Sequence, residues 1–172
     1  MLIYLTGFPG CGKSSAGKKI AAALSLPFYD LDEMIEQESG KSIPEIFNDS
    51  GEAVFRKTEA AVLRKCVSIG KGVIAVGGGT PCFSDNMTWM NRTGVTVYIQ
   101  MSAASLFRRL QHAKQERPLF RGLQGEELKK EVEKLLSARE PFYKKAQYTV
   151  KGESLDVRSL ASWIRTRPGF IS

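Results

Sequence analysis

Leu2-Ile3-Tyr4-Leu5-Thr6 runs straight into Gly7-Phe8-Pro9-Gly10-Cys11-Gly12-Lys13-Ser14, and this stretch decides the fold. The first five residues form a short apolar run that ends at a glycine, the pattern of a buried strand. The next eight fit G-x-x-x-x-G-K-[ST]. Glycines let consecutive backbone N–H groups turn inward on phosphate oxygens. A helix opening near Lys13 adds the positive end of its dipole. Lys13 can reach β- and γ-phosphates, and Ser14 can hold Mg²⁺. A strand before the loop and a helical pattern over 13–25 after it supply the context that this motif requires.

Downstream, short apolar runs alternate with helical patterns. Strands are expected at 26–29, 73–76, 95–99 and 148–150. Helices are expected at 30–39, 42–49, 51–69, 84–92, 102–109, 126–139 and 156–165. Ser42-Ile43-Pro44-Glu45 is a capping box with Pro in the first turn. In the helix over 51–69, Ala53, Arg56, Ala60, Leu63 and Val67 recur at helical spacing. Ser84 and Ser102 read as caps, and Pro141 as a stop. Residues 111–123 are polar and basic without periodicity, which reads as a mobile loop; His112, Lys114 and Arg121 read as solvated there. Strands separated by helical crossovers make an α/β fold with a parallel sheet covered on both faces. Ligands of such sheets bind at the carboxyl ends of strands, so residues 7–14, 30–32 and 77–79 carry the chemistry.

The chain has 172 residues, which predicts one domain over 1–172 at about 150 residues per domain, with no room for a separate effector domain. No apolar run reaches the ~18 residues of a membrane span, and the start lacks the basic region of a signal peptide. Three cysteines without C-x-x-C spacing predict neither a disulfide framework nor a zinc site, and point to a reducing cytoplasm. The net charge of +7 invites a nucleic-acid reading. Its distribution argues against one, because residues 28–59 hold nine acidic and only three basic side chains.

No N-K-x-D motif is present, which excludes a GTPase. The strand over 73–76 ends in Gly77-Gly78-Gly79 rather than in the Asp of motor and transport ATPases. Acidic residues instead follow the second strand, at Asp30 and Asp32. Each can be a helix cap or a reacting group: Asp30 orienting Mg²⁺ through water, Asp32 accepting a hydroxyl proton. Arg56 can pair with Glu59 on a helix surface, and Arg139 can complement a helix C-terminus. The three glycines can form a turn or let a ligand approach the backbone. A small phosphotransferase is the economical reading.

In combination these residues resemble the shikimate kinase family. The markers are residues 7–14, Asp30-x-Asp32 with Met34-Ile35-Glu36, residues 40–47, residues 51–59 with Phe55-Arg56, Gly77-Gly78-Gly79, Arg117-Pro118-Leu119, and Arg139-Glu140-Pro141-Phe142-Tyr143. The resemblance implies a three-layer P-loop kinase fold of the nucleoside-monophosphate-kinase type, with a five-stranded parallel sheet ordered 2-3-1-4-5. It also implies a mobile lid over 111–123 and a shikimate-binding region over 31–61. The implied reaction moves the γ-phosphoryl group of MgATP to the 3-hydroxyl of shikimate, in chorismate and aromatic amino-acid biosynthesis.

Lys13, Asp32 and Arg117 would be catalytic. Gly10, Cys11, Gly12, Lys13, Ser14, Ser15, Arg109 and Arg117 would hold ATP, with Arg109 (or neighbouring Arg108) on adenine. Asp32, Arg56, Gly77, Gly78, Gly79 and Arg139 would hold shikimate between walls made by Phe47 and Phe55. Ser14 and Asp30 would hold Mg²⁺. The stretch Lys151-Gly152-Glu153-Ser154 has no clear family match for adenine contacts. A monomer without nucleic-acid or membrane partners is expected. The alternatives are a gluconate-kinase-like enzyme of the same fold and an ATP-binding nucleic-acid module.

Overall fold

A computed structural model describes residues 1–113 and 117–170. Five strands form one parallel sheet in the order β2-β3-β1-β4-β5: β1 (Leu2–Thr6), β2 (Phe28–Asp30), β3 (Gly72–Ala75), β4 (Gly94–Gln100) and β5 (Tyr148–Lys151). The expected strand order is the observed one. The register pairs Leu5 with Ala75 and Asp30 with Ala75, so the ends of β1, β2 and β3 come level. The loops carrying residues 7–14, 30–32 and 77–79 therefore meet at one edge.

Alternation along β1 decides which helices cover which face. Ile3 and Leu5 point into a core with Ile20 and Leu24 of α1 (Lys13–Leu24), Leu106 of α5 (Ala103–Gln111), Val132 of α6 (Gly125–Tyr143) and Ile164 of α7 (Val157–Arg165). Leu2 and Tyr4 point the other way, to Leu31 and Ile35 of α2 (Leu31–Ser39), Leu63 of α3 (Ile43–Lys65) and Met90 of α4 (Asn86–Thr93). Both layers bury side chains completely, which gives the three-layer arrangement.

Several local readings change. The capping box at Ser42 forms as read, with Ser42 and Glu45 exchanging bonds. The two helices expected around Gly51 join into α3 across a kink, because Gly51 takes φ 81° and ψ 173°, outside helical space. Past the kink the buried stripe on α3 is Phe55, Glu59, Val62 and Leu63, with Cys66 just beyond its end; Ala53 and Val67 are exposed. Phe55, Val62 and Leu63 share the face turned to the core, and Ala53 and Val67 fall off it. Pro141 does not stop α6, which continues to Tyr143. A proline φ suits a helix, and the single bond it removes lies in the last turn, where Lys144 N–H still closes on the Glu140 carbonyl. Asp85, not Ser84, stands at the N-cap of α4.

The loop expected over 111–123 is partly built. Gln111 completes α5, exposed His112 caps it, and Pro118–Phe120 form a 3-10 turn. Phe120 is buried against Phe8, ring centroids 6.0 Å apart, and so anchors this segment on the phosphate loop. The reading of Lys114 falls outside the described residues.

Gly94 opens β4 opposite Leu2. A Cβ there would stand 2.4 Å from the Leu2 carbonyl oxygen, a backbone atom that cannot step aside. Gly94→Ala is expected to destabilise the protein by about 1–3 kcal/mol, read as a lower urea midpoint with an unchanged slope.

Candidate functional site

The meeting of loops leaves a cleft of about 670 Å³. Its wall is made by the phosphate loop (Pro9, Gly10, Gly12, Lys13, Ser14, Ser15), the end of β2 (Asp30, Asp32), α3 (Phe47, Phe55, Arg56, Glu59), the glycines 77–79, the lid turn (Arg117, Pro118, Leu119) and Arg139. Of the residues singled out above, only Cys11 and Arg109 lie elsewhere. They line a smaller adjoining pocket of about 330 Å³ with Ser15, Lys19, Gly152, Glu153, Ser154 and Leu155. Gly152, Glu153 and Ser154, without a sequence signal, thus line one pocket with Gly12 and Arg109, because β5 lies beside β4 and delivers them there.

In the phosphate loop, Gly10 and Gly12 adopt φ 87° and 90°, where a side chain would be strained. Cys11 is buried and spends its N–H on the Phe8 carbonyl. The Lys13 ammonium lies inside the loop, donating to the Gly7 carbonyl at 2.8 Å and the Phe8 carbonyl at 3.1 Å. Arg109 donates from Nε to the Gly10 carbonyl at 2.7 Å, which ties α5 to the loop.

Beside the loop, Ser14 Oγ donates to Asp30 Oδ2 at 2.8 Å, while Asp30 Oδ1 accepts the Asp32 N–H at 3.0 Å. Asp30 thus caps α2 with one oxygen and turns the other to the phosphate loop. Burial pushes the Asp32 carboxyl up to about 6, and the neighbouring Asp30 and Glu59 charges add to this against the pull of Lys13. The oxygen donors Ser14 and Asp30, in a corner crowded with carboxylates, fit a hard divalent cation such as Mg²⁺. Among the described residues no group of three His, Cys, Asp or Glu forms a metal cage.

At the far end Arg56 is largely enclosed. Its Nη1 donates to Glu59 Oε1 at 3.0 Å, and its guanidinium lies 4.1 Å from the centre of the Phe83 ring and 5.1 Å from that of Phe55. Phe47 and Phe55 pack with centroids 4.6 Å apart.

The spacing of Arg56 and Glu59 also allows a surface pair. Glu59 is instead 1% exposed, accepting from Arg56 and, at 2.7 Å, from Thr80 Oγ1. The signal for it was a glutamate on the apolar stripe of α3. The three glycines are explained partly by protein rather than by ligand. A Cβ on Gly78 would stand 2.5 Å from Pro9, and one on Gly79 would stand 2.6 Å from the Arg56 guanidinium. Chemically, the cleft offers a phosphate cradle at one end, two arginines at the other, and a carboxylate of raised pKa between them.

A family profile described as Shikimate kinase matches residues 9–166. A curated shikimate kinase of Bacteroides thetaiotaomicron is 44% identical over 156 residues, which span 91% of this chain and 89% of that one. A crystal structure of shikimate kinase from Bacteroides thetaiotaomicron superposes with a TM-score of 0.87 at 40% identity, covering 96% of each chain. The shikimate kinase from Acinetobacter baumannii, solved in complex with shikimate, gives 0.80 at 33% identity, covering 95% of this chain and 89% of that one.

The Asp32 shift has a consequence for stability. The folded state holds this proton more tightly than the unfolded chain does, so stability is highest below the ordinary carboxylate value of 3.8 and falls as pH rises through about 6. Asp32→Asn is expected to raise the ligand-free stability at pH 7 by about 1–3 kcal/mol, with the gain vanishing below about pH 4. Thermal unfolding across this pH range measures it; a gain independent of pH would show that the buried charge is not its source.

Proposed function

The chain belongs to the shikimate kinase family, and on that premise we propose that it transfers the γ-phosphoryl group of MgATP to the 3-hydroxyl of shikimate, releasing shikimate 3-phosphate and ADP. It is an enzyme of the kinase class, with ATP as co-substrate. The observation that carries the assignment is the single cleft joining the phosphate loop, Asp32 and the two arginines Arg56 and Arg139.

In this reading the triphosphate lies along residues 10–15, with the adenine end over Arg109 toward residues 152–155. The Arg56 and Arg139 guanidinium forks receive the shikimate carboxylate, since a planar fork matches a carboxylate bidentately. Glu59 and the rings of Phe55 and Phe83 keep Arg56 aimed. Gly77, Gly78, Gly79, Phe47 and Phe55 wall the ring of the acceptor. Asp32 then faces the reacting hydroxyl as general base.

The step is an in-line displacement. The 3-hydroxyl gives its proton to the Asp32 carboxylate, its oxygen bonds the γ-phosphorus, and the bond to the β-phosphate oxygen breaks with its electron pair leaving on ADP. Lys13 and Arg117 spread positive charge over the transferring oxygens. Lys13 must for this exchange its carbonyl partners in the loop for phosphate oxygens. Mg²⁺, held by Ser14 and through water by Asp30, would supply further charge neutralisation on the phosphates. The segment around Pro118–Phe120 covers the cleft and would exclude the water that otherwise wastes ATP. Gly122 and Gly125, at φ 76° and 55°, are suited as its hinges.

Family membership decides against the gluconate-kinase-like reading. The +7 charge, which motivated a nucleic-acid module, finds a different use in Lys13, Arg56, Arg117 and Arg139 around one cleft. No helix among the described residues is long and apolar enough to cross a membrane. Three free cysteines favour a reducing cytoplasm, and a monomer completes the proposal.

ADP release coupled to a spectrophotometric readout, with and without shikimate, tests the assignment; turnover indifferent to shikimate would refute it. Lys13→Ala and Asp32→Ala are each expected to abolish turnover in folded protein. Arg139→Ala is expected to raise KM for shikimate far more than for ATP. Because the base must be ionised, kcat/KM for shikimate is expected to fall about tenfold per pH unit below about 6. A profile flat from pH 7 to 5 would remove Asp32 as the base.

A further inference from the structure

Tyr143 ends α6 one helical turn after Arg139. Its ring is wholly buried and packs on Tyr98, centroids 5.2 Å apart. Packing alone does not need its oxygen, since a phenylalanine fills nearly the same space. The oxygen is nonetheless engaged. It donates to the Gly78 carbonyl at 2.6 Å, and Arg139, four residues back on the same face of α6, sets a cation near it.

A phenol has one proton and two lone pairs. With the proton committed to Gly78, only lone pairs remain for Arg139, a group that can only donate. The hydroxyl can therefore serve Gly78 only as a donor and Arg139 only as an acceptor. Burial raises this phenol far above its ordinary range, so it stays protonated at every working pH and the direction does not reverse. Gly78 in turn abuts Pro9 of the phosphate loop with no space for a methyl group between them. One hydroxyl thus connects the end of α6 to the glycine turn after β3, and through that turn to the phosphate loop.

We infer that Tyr143 is a positioning residue for the acceptor: its hydroxyl holds the Arg139 guanidinium and the Gly78 carbonyl in fixed relation, so that the carboxylate and the ring of shikimate are received together. The inference rests on the proposed reading of the cleft and adds to it a residue that touches no substrate. It also gives a use to the one end of the Arg139–Tyr143 sequence marker that the reaction itself leaves without a role.

Tyr143→Phe removes the oxygen and keeps the ring. The expected result is a rise of about tenfold in KM for shikimate, with KM for ATP and kcat at saturating shikimate within about twofold of wild type. In an Arg139→Ala background the same change is expected to cost less than about twofold, because the group it positions is gone. Assays at 10 °C below the variant's unfolding midpoint keep a destabilised protein folded. A lower unfolding midpoint with unaltered KM, a parallel rise in both KM values, or full additivity with Arg139→Ala would each overturn the inference. Wild-type protein without shikimate-dependent ADP release would overturn the cleft reading and this inference together. Normal wild-type turnover with an indifferent Tyr143→Phe overturns the inference alone.

Discussion

The contact on which the rest depends is the one between Gly78 and Pro9. β1 and β3 are neighbours in a parallel sheet, so the loops that leave their carboxyl ends leave side by side. At that edge the glycine turn after β3 lies so close to the phosphate loop that a Cβ would overlap the Pro9 ring at 2.5 Å. The phosphate loop and the glycine turn thereby become two sides of one cleft. A larger residue at 78 would have to push them apart, and a displacement of about 1 Å in such a site is costly to a reaction that depends on alignment.

The second constraint is a buried charge. Glu59 is enclosed between Arg56 and Thr80, and an isolated carboxylate there would be prohibitive. Its partners satisfy it, and in return it fixes Arg56 and joins α3 to the turn after β3. Burial first, and then the charges of Asp30 and Glu59, keep the Asp32 carboxyl raised. The protein therefore holds three carboxylates in one corner at some expense of stability, as sites prepared to meet cations and accept protons do.

Much of this was legible in the chain because it depends on local spacing. The strand-loop-helix around residues 7–14, the capping box at Ser42 and the alternation of strand and helix signals are each set within a few residues, and the structure has them where they were read. Errors fell where a distant neighbour decides. Ala53 and Val67 lost the core to Phe55 and Val62, and the turn over Pro118–Phe120 was anchored by Phe120 on Phe8. None of these outcomes is contained in the residues on either side.

The sequence alone determined the class of fold, the phosphate loop and most of the residues that line the cleft, since backbone propensity and motif spacing are short-range properties. Only the tertiary structure decided that Glu59 is buried rather than exposed, that residues 152–155 share a pocket with Arg109, and that the Tyr143 hydroxyl reaches the Gly78 carbonyl. Each of those depends on which strand lies next to which. That order is fixed by the burial of both sheet faces at once, a property of the whole chain and of no segment within it.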